Sequence, residues 1–120
     1  SRSKSRPRKD LEFAATRLAQ EAGIVIVLKG PASLITDGRT NTHNETGNPG
    51  MATAGTGDVL TGIIAALVSQ QLSVFNAARL GVWIHGAAGD AASVECGEYS
   101  LTASQVIGCL PIPIKRCVPT

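Results

Sequence analysis

Two rhythms of apolar residues run along this chain. Leu11, Ala14, Ala15, Leu18, Ala19 and Ala22 recur at helical spacing, with Asp10 before them as a cap and Gly23 after them as a stop. Ile24-Val25-Ile26-Val27-Leu28 is instead a continuous, mostly β-branched run without polar alternation. That pattern predicts a strand covered on both faces, as in the centre of a parallel sheet. Lys29-Gly30-Pro31 closes it, Ser33 to Thr36 predicts a second strand, and Asp37-Gly38 a turn into a hairpin partner over Arg39 to His43.

Residues 44–57 are rich in Asn, Gly, Thr and Pro and read as loop. Helical spacing resumes at Asp58, with Val59, Leu60, Ile63, Ile64, Leu67 and Val68 apolar as far as Gln70 or Gln71. Ser73 suits the cap of another helix carrying Phe75, Ala78, Leu80, Val82, Trp83 and Ile84. Gly81, Gly86 and Gly89 interrupt it, so the pattern predicts two helices or a bent one. Thr102-Ala103-Ser104-Gln105 fits a capping box for a last short helix, ended by Pro111 and Pro113. Strands followed and preceded by helices make this an α/β chain.

Composition narrows the picture. Hydrophobic residues are 43% and charged residues 17% of 120 residues, enough apolar content for a packed core in one domain. Aromatics are only 3%, which suits close helix–sheet packing through alanine and glycine. Five of the eleven Lys and Arg lie in the first nine residues, leaving six basic against nine acidic residues elsewhere. Residues 1–9 thus read as a disordered, solvated basic tail, and nucleic-acid binding is not expected. Cys96, Cys109 and Cys117 lack CxxC or paired Cys/His spacing, so no metal site is expected. An odd cysteine count and the absence of a long apolar run point to a reducing, cytoplasmic setting away from membranes.

The chemistry concentrates in Gly47-Asn48-Pro49-Gly50-Met51-Ala52-Thr53-Ala54-Gly55-Thr56-Gly57-Asp58. A helix N-terminus offers unpaired N–H groups and partial positive charge, and glycines let the backbone approach a phosphate. Ala54, Gly55, Thr56 and Gly57 can therefore form an anion hole. The run is neither a Walker A motif nor a dinucleotide GxGxxG. A carboxylate at such a mouth suggests a proton-transfer role, which makes Asp58 a candidate general base; Asp58 as a plain helix cap stays open on spacing. Lys29, at a strand end, is either a phosphate partner at a ligand crevice or a surface lysine. His85 near Asp90 suggests acid–base work or a metal, against the plainer reading of both as structural. His43 carries little signal; Met51 reads as a loop anchor and Trp83 as core.

Val27 to Gly30, Gly47 to Gly62 and His85-Gly86-Ala87-Ala88-Gly89-Asp90 together resemble the ADP-dependent NAD(P)H-hydrate dehydratases, in order from about Leu11 to Pro111. The resemblance implies the C-terminal portion of a ribokinase-like three-layer α/β/α fold with an incomplete sheet, over residues 10–120. The loop looks like the bacterial form. The family repairs hydrated NADH and NADPH: a nucleotide (ADP, or ATP) with Mg2+ phosphorylates the hydrate's hydroxyl, and phosphate elimination restores the ring. By resemblance, Asp58 contacts NADHX or NADPHX and is the base. Gly57 and the Lys29-Gly30-Pro31-Ala32-Ser33 segment bind the adenine nucleotide, and Gly55 to Gly57 match the anion hole. Full-length members are expected to be homo-oligomers. Ser33 stands where threonine is usual and Gln105 where aspartate is usual. The upstream half, with a Pro-His segment that meets the nicotinamide, has no counterpart here. Two alternatives remain: a non-catalytic fragment that only binds nucleotide, and another ribokinase-like small-molecule kinase, against which the Asn48-Pro49-Gly50-Met51 run argues.

Overall fold

In the computed structural model, which describes residues 5–30, 32–52, 55–97 and 101–117, helices cover both faces of a small sheet. The order is α1 (Ser5–Ala22), β1 (Ile26–Leu28), β2 (Ser33–Thr36), β3 (Asn41–Asn44), a 3-10 turn (Pro49–Ala52), α2 (Thr56–Ser69), α3 (Val74–Cys96), α4 (Ala103–Cys109) and α5 (Pro111–Cys117).

Helix α1 begins at Ser5, so residues 5–9 are helical rather than a disordered tail and Asp10 is not its cap; residues 1–4 lie outside the described residues. Pro7 is in the first turn, where no intrahelical hydrogen bond is lost. Arg8 and Glu12 form an i,i+4 ion pair at 3.1 Å that supports the added turn. Gly23, in left-handed conformation, ends the helix as expected.

The sheet has order β1-β2-β3 with both pairings antiparallel. β1 is therefore not the central parallel strand that its β-branched run predicts. The connection from Leu28 to Ser33 is too short for a parallel crossover and allows only a hairpin. Among the described residues β1 is an edge strand, and it is half-buried throughout. β2 pairs with β3 from Ser33↔Asn44 to Thr36↔Asn41, closing the predicted Asp37-Gly38 turn. The Asp37 carboxylate accepts from the Thr40 and Arg39 amides, which hold it below the usual carboxylate range.

Leu34 and Ile35 of β2 are both fully buried, so both faces of the sheet are covered. Ile35 packs with Leu60 of α2 and with Ala78 and Val82 of α3. By alternation Leu34 points to the opposite face, where α1 packs. A second core joins Ala88 and Ala92 of α3 to Val106 and Cys109 of α4, with Met51 and Val59 packed against it. On α1 only Ala19 of the expected apolar stripe is fully buried, while Leu11 and Leu18 are more than half exposed.

Helix α3 is one continuous helix of 23 residues, not two, and Ser73 caps it by accepting from the Asn76 amide. Its glycines are places of close approach rather than breaks. A methyl group on Gly86 would lie 2.6 Å from the Thr46 carbonyl carbon, and one on Gly89 would lie 2.8 Å from Met51 Cγ. The predicted capping box of α4 is present, with Thr102 and Gln105 bonded reciprocally. α4 stops at Cys109, just before Pro111 as expected, but it is not the last helix: Pro111 and Pro113 lie in the first turn of α5, where prolines cost no hydrogen bond. None of the described helices is long and apolar enough to cross a membrane.

Candidate nucleotide site

The Gly47–Asp58 loop is held in place from below by α3. The Asp90 carboxylate accepts from the Gly47 amide at 2.9 Å and from the Asn48 side-chain amide at 2.9 Å. Asn48 in turn accepts from the Gly50 amide at 3.0 Å. The Thr46 hydroxyl donates to the Trp83 carbonyl at 3.1 Å. Met51 enters the second core, as its reading as a loop anchor predicts. Asp90 is thus the tether of the loop, and its two oxygens are engaged there rather than on His85.

Helix α2 starts at Thr56, two residues before the sequence pattern suggests, with Gly55 as N-cap at φ 93°. Glycine tolerates that conformation where a side chain would be strained. The N-cap makes no side-chain hydrogen bond, and Asp58 is the third residue of the helix, exposed in its first turn. The reading of Asp58 as the residue that opens and caps the helix is corrected accordingly. Its carboxylate still lies at the positive end of the helix dipole. The Thr56 side chain is buried and its hydroxyl donates to the Met51 carbonyl, so it braces the loop. Thr53, Ala54 and Pro31, three of the residues singled out in the sequence, lie outside the described residues.

Lys29 leaves the end of β1 and crosses to this helix start. A methyl group built on Gly57 would lie 3.2 Å from Lys29 Nζ. The lysine ammonium thus lies beside Gly57 in the first turn of α2, the positive end of the helix dipole. Next to it the β1–β2 turn is locked by Ser33, whose hydroxyl accepts from the Gly30 amide at 3.1 Å and donates to the Gly30 carbonyl at 3.0 Å.

A cavity of about 780 Å³ opens between this turn and the loop. Lys29, Gly30, Ala32 and Ser33 line one side, residues 44–49 and Met51 the other, with Leu60, Val82, His85 and Gly86 as floor. The structure therefore brings the Lys29–Ser33 segment and the Gly47 loop to one cavity. Gly55, Gly57 and Asp58 are not in its lining; Gly57 adjoins it through Lys29.

His85 is 6% exposed, and its Nε2 has no hydrogen-bond partner among the described residues. Burial lowers its affinity for a proton; a bond to the Thr56 backbone opposes this, and the Lys29 charge adds to the lowering. An unpartnered ring nitrogen in a cavity wall departs from the expectation of a satisfied packing histidine. No sequence signal separated the two readings, since apolar helical neighbours surround His85 in either case.

A family model described as NAD(P)H-hydrate dehydratase matches residues 3–111. The chain belongs to the NAD(P)H-hydrate dehydratase family. The bifunctional NAD(P)H-hydrate repair enzyme Nnr of Vibrio cholerae is 48% identical over 96 residues, covering 79% of this chain and 19% of the relative. The ADP-dependent (S)-NAD(P)H-hydrate dehydratase of Cenarchaeum symbiosum is 41% identical over 112 residues, covering 91% of the chain and 39% of the relative. The crystal structure of the ADP/ATP-dependent NAD(P)H-hydrate dehydratase from Bacillus subtilis, co-crystallized with ATP/Mg2+, superposes with a TM-score of 0.83 at 32% identity, over 91% of this chain and 40% of that one. The chain thus spans between about a fifth and two fifths of the length of these relatives. The expected α/β architecture and dehydratase kinship agree with these findings, and what this family member does follows from how much of a site it carries.

Proposed function

We propose that this chain forms the nucleotide side of a site that dehydrates (S)-NADHX and (S)-NADPHX to NADH and NADPH at the expense of ADP or ATP. The carrying observation is Lys29 Nζ placed against Gly57 at the start of α2, beside the cavity walled by the Lys29–Ser33 turn. A cationic side chain, first-turn amides and close-lying glycine backbone are the donors a polyphosphate requires. The family kinship supports the same assignment: Lys29, Gly30, Pro31, Ala32, Ser33 and Gly57 to the nucleotide, Ala54, Gly55, Thr56 and Gly57 to the anion hole. Mg2+ bound with the nucleotide would neutralise phosphate charge beside Lys29.

In this reading Asp58 meets the hydrate. It takes the hydroxyl proton as the oxygen bonds to the transferred phosphorus, and the shortened nucleotide leaves with the electrons of its bridging bond. Loss of phosphate with a ring proton then restores the dihydronicotinamide. The helix N-terminus and Lys29 stabilise charge on the phosphoryl group throughout. The small-molecule substrates and the family kinship support action in the cytoplasm, as a homo-oligomer, without nucleic acid.

A second reading, nucleotide binding without turnover, is favoured by the position of Asp58 outside the cavity lining. Substituting Asp58→Asn separates the two. With Asp58 as base, turnover, followed as recovery of NADH absorbance from its hydrate with ADP and Mg2+, falls by about 10²- to 10⁴-fold while ADP affinity is unchanged. Turnover equal to that of the unmodified protein removes Asp58 from the base role, and an unmodified chain that binds ADP without turning over supports the second reading.

A further inference from the structure

The first nine residues hold five basic side chains. One of them, Arg8, reaches the back of the site. Its Nη1 donates to the Lys29 carbonyl at 2.9 Å, and its Nη2 donates to the carbonyls of Leu28 at 3.2 Å and Ala32 at 3.5 Å. Its Nε donates to Glu12 Oε2 at 3.1 Å. The other oxygen of Glu12 meets His43 Nε2 on β3 at 2.9 Å. A single guanidinium therefore ties α1 to both ends of the β1–β2 turn, and Glu12 ties the guanidinium to the far strand.

We infer that Arg8 is a positioning residue for the nucleotide turn: it fixes the carbonyls of Leu28, Lys29 and Ala32 so that the Lys29 ammonium stays against Gly57. This rests on the nucleotide reading of that turn. Arg8 is not itself a phosphate ligand, because four of the five N–H groups of its guanidinium already face carbonyls and a carboxylate. The turn needs such a clamp. Ala32 has φ 51°, a left-handed conformation that disfavours alanine and persists only where surrounding contacts hold it. Gly30 leaves room for the guanidinium, since a methyl group there would lie 2.9 Å from Nη1. Only a planar fork spans three carbonyls; the ammonium of a lysine is a point donor.

The test uses the whole chain, with ADP affinity by titration calorimetry and amide hydrogen exchange at Gly30, Ala32 and Ser33. Arg8→Met weakens ADP binding about tenfold, the worth of one charge-assisted contact, and speeds exchange at those amides while α3 stays protected. Arg8→Lys keeps the charge, loses the fork and recovers only part of the affinity. Should Arg8→Met fail to fold, Arg8→Lys and Glu12→Gln carry the comparison, the latter with a smaller loss of affinity. Undiminished ADP binding in Arg8→Met, or complete recovery in Arg8→Lys, overturns the positioning role and leaves the nucleotide reading standing. An unmodified chain that binds no ADP overturns the nucleotide reading and takes this inference with it.

Discussion

Two walls face each other across the cavity, and they are built on different principles. The loop wall, residues 44–51, lies on α3 through close packing at Gly86 and Gly89 and through the half-buried Asp90 carboxylate. The turn wall, Lys29 to Ser33, is largely exposed and hangs on Arg8 and Ser33. Packing in an interior is steep with distance and insensitive to salt, whereas exposed charge-assisted contacts are weaker and screened. The loop wall is thus the fixed side of the site and the turn wall the side that local conditions can loosen. In the proposed reading, a nucleotide gripped by Lys29 depends on the looser wall, and the helix start that Lys29 reaches is the end of the Gly47 loop that the firmer wall carries.

The largest effect is expected at the loop wall. Gly86→Ala brings a methyl group against the Thr46 backbone, which cannot yield as a flexible side chain could. Helix propensity alone would favour alanine by about 1 kcal/mol and overpacking costs about 1–3 kcal/mol, so a net loss of up to about 2 kcal/mol in a urea melt shows that overpacking dominates. A stabilised Gly86→Ala protein would mean that the loop does not rest on the helix. Next comes Asp90→Ala, which strips acceptors from Gly47 and Asn48 and costs about 0.5–1.5 kcal/mol, because at this half-buried site both donors regain water. Its chemical-shift changes are expected over residues 46–51, with the turn wall unmoved; changes centred on Lys29 to Ser33 would break the contrast.

The smallest effect concerns pH. The hydrogen bond from His43 chiefly holds the Glu12 carboxyl below the usual carboxylate range; burial opposes it, and Arg8 adds to the lowering. A depressed folded-state value means that Glu12 contributes stability above the ordinary glutamate value of about 4.3, and that this is lost as pH falls through its lower folded value. A carboxyl-carbon titration by NMR is expected to give a midpoint below that ordinary value, with faster exchange at the turn wall beneath it. The packing at Gly86 and Gly89 carries no charge and should not follow that titration. A Glu12 midpoint at or above the ordinary value would show that the relay to Arg8 is not formed in solution.

Much of the fold was legible along the chain. The β2–β3 hairpin, the Ser73 cap, the Gly23 stop and the Thr102–Gln105 capping box are where the pattern of residues puts them, because caps and turns are short-range chemistry between neighbours. The early start of α1 was hidden because a string of basic residues with a proline resembles a tail unless a distant partner engages it. That α3 is one helix and not two was hidden for the same reason: Gly86 and Gly89 look like breaks until Thr46 and Met51 are seen to fill the space beside them.

The sequence by itself determined the family, through the Gly47–Asp58 run and the Lys29 and His85 motifs. Only the tertiary structure decided how those motifs meet. Arg8 finds the Lys29 carbonyl across 21 positions, and Asp90 finds the Gly47 amide across 43. It also placed Asp58 in the first turn rather than at the cap, outside the cavity lining, and left His85 Nε2 without a partner among the described residues. Propensity acts over a few residues and can be read along the chain, whereas a contact between distant segments exists only once the layers have packed.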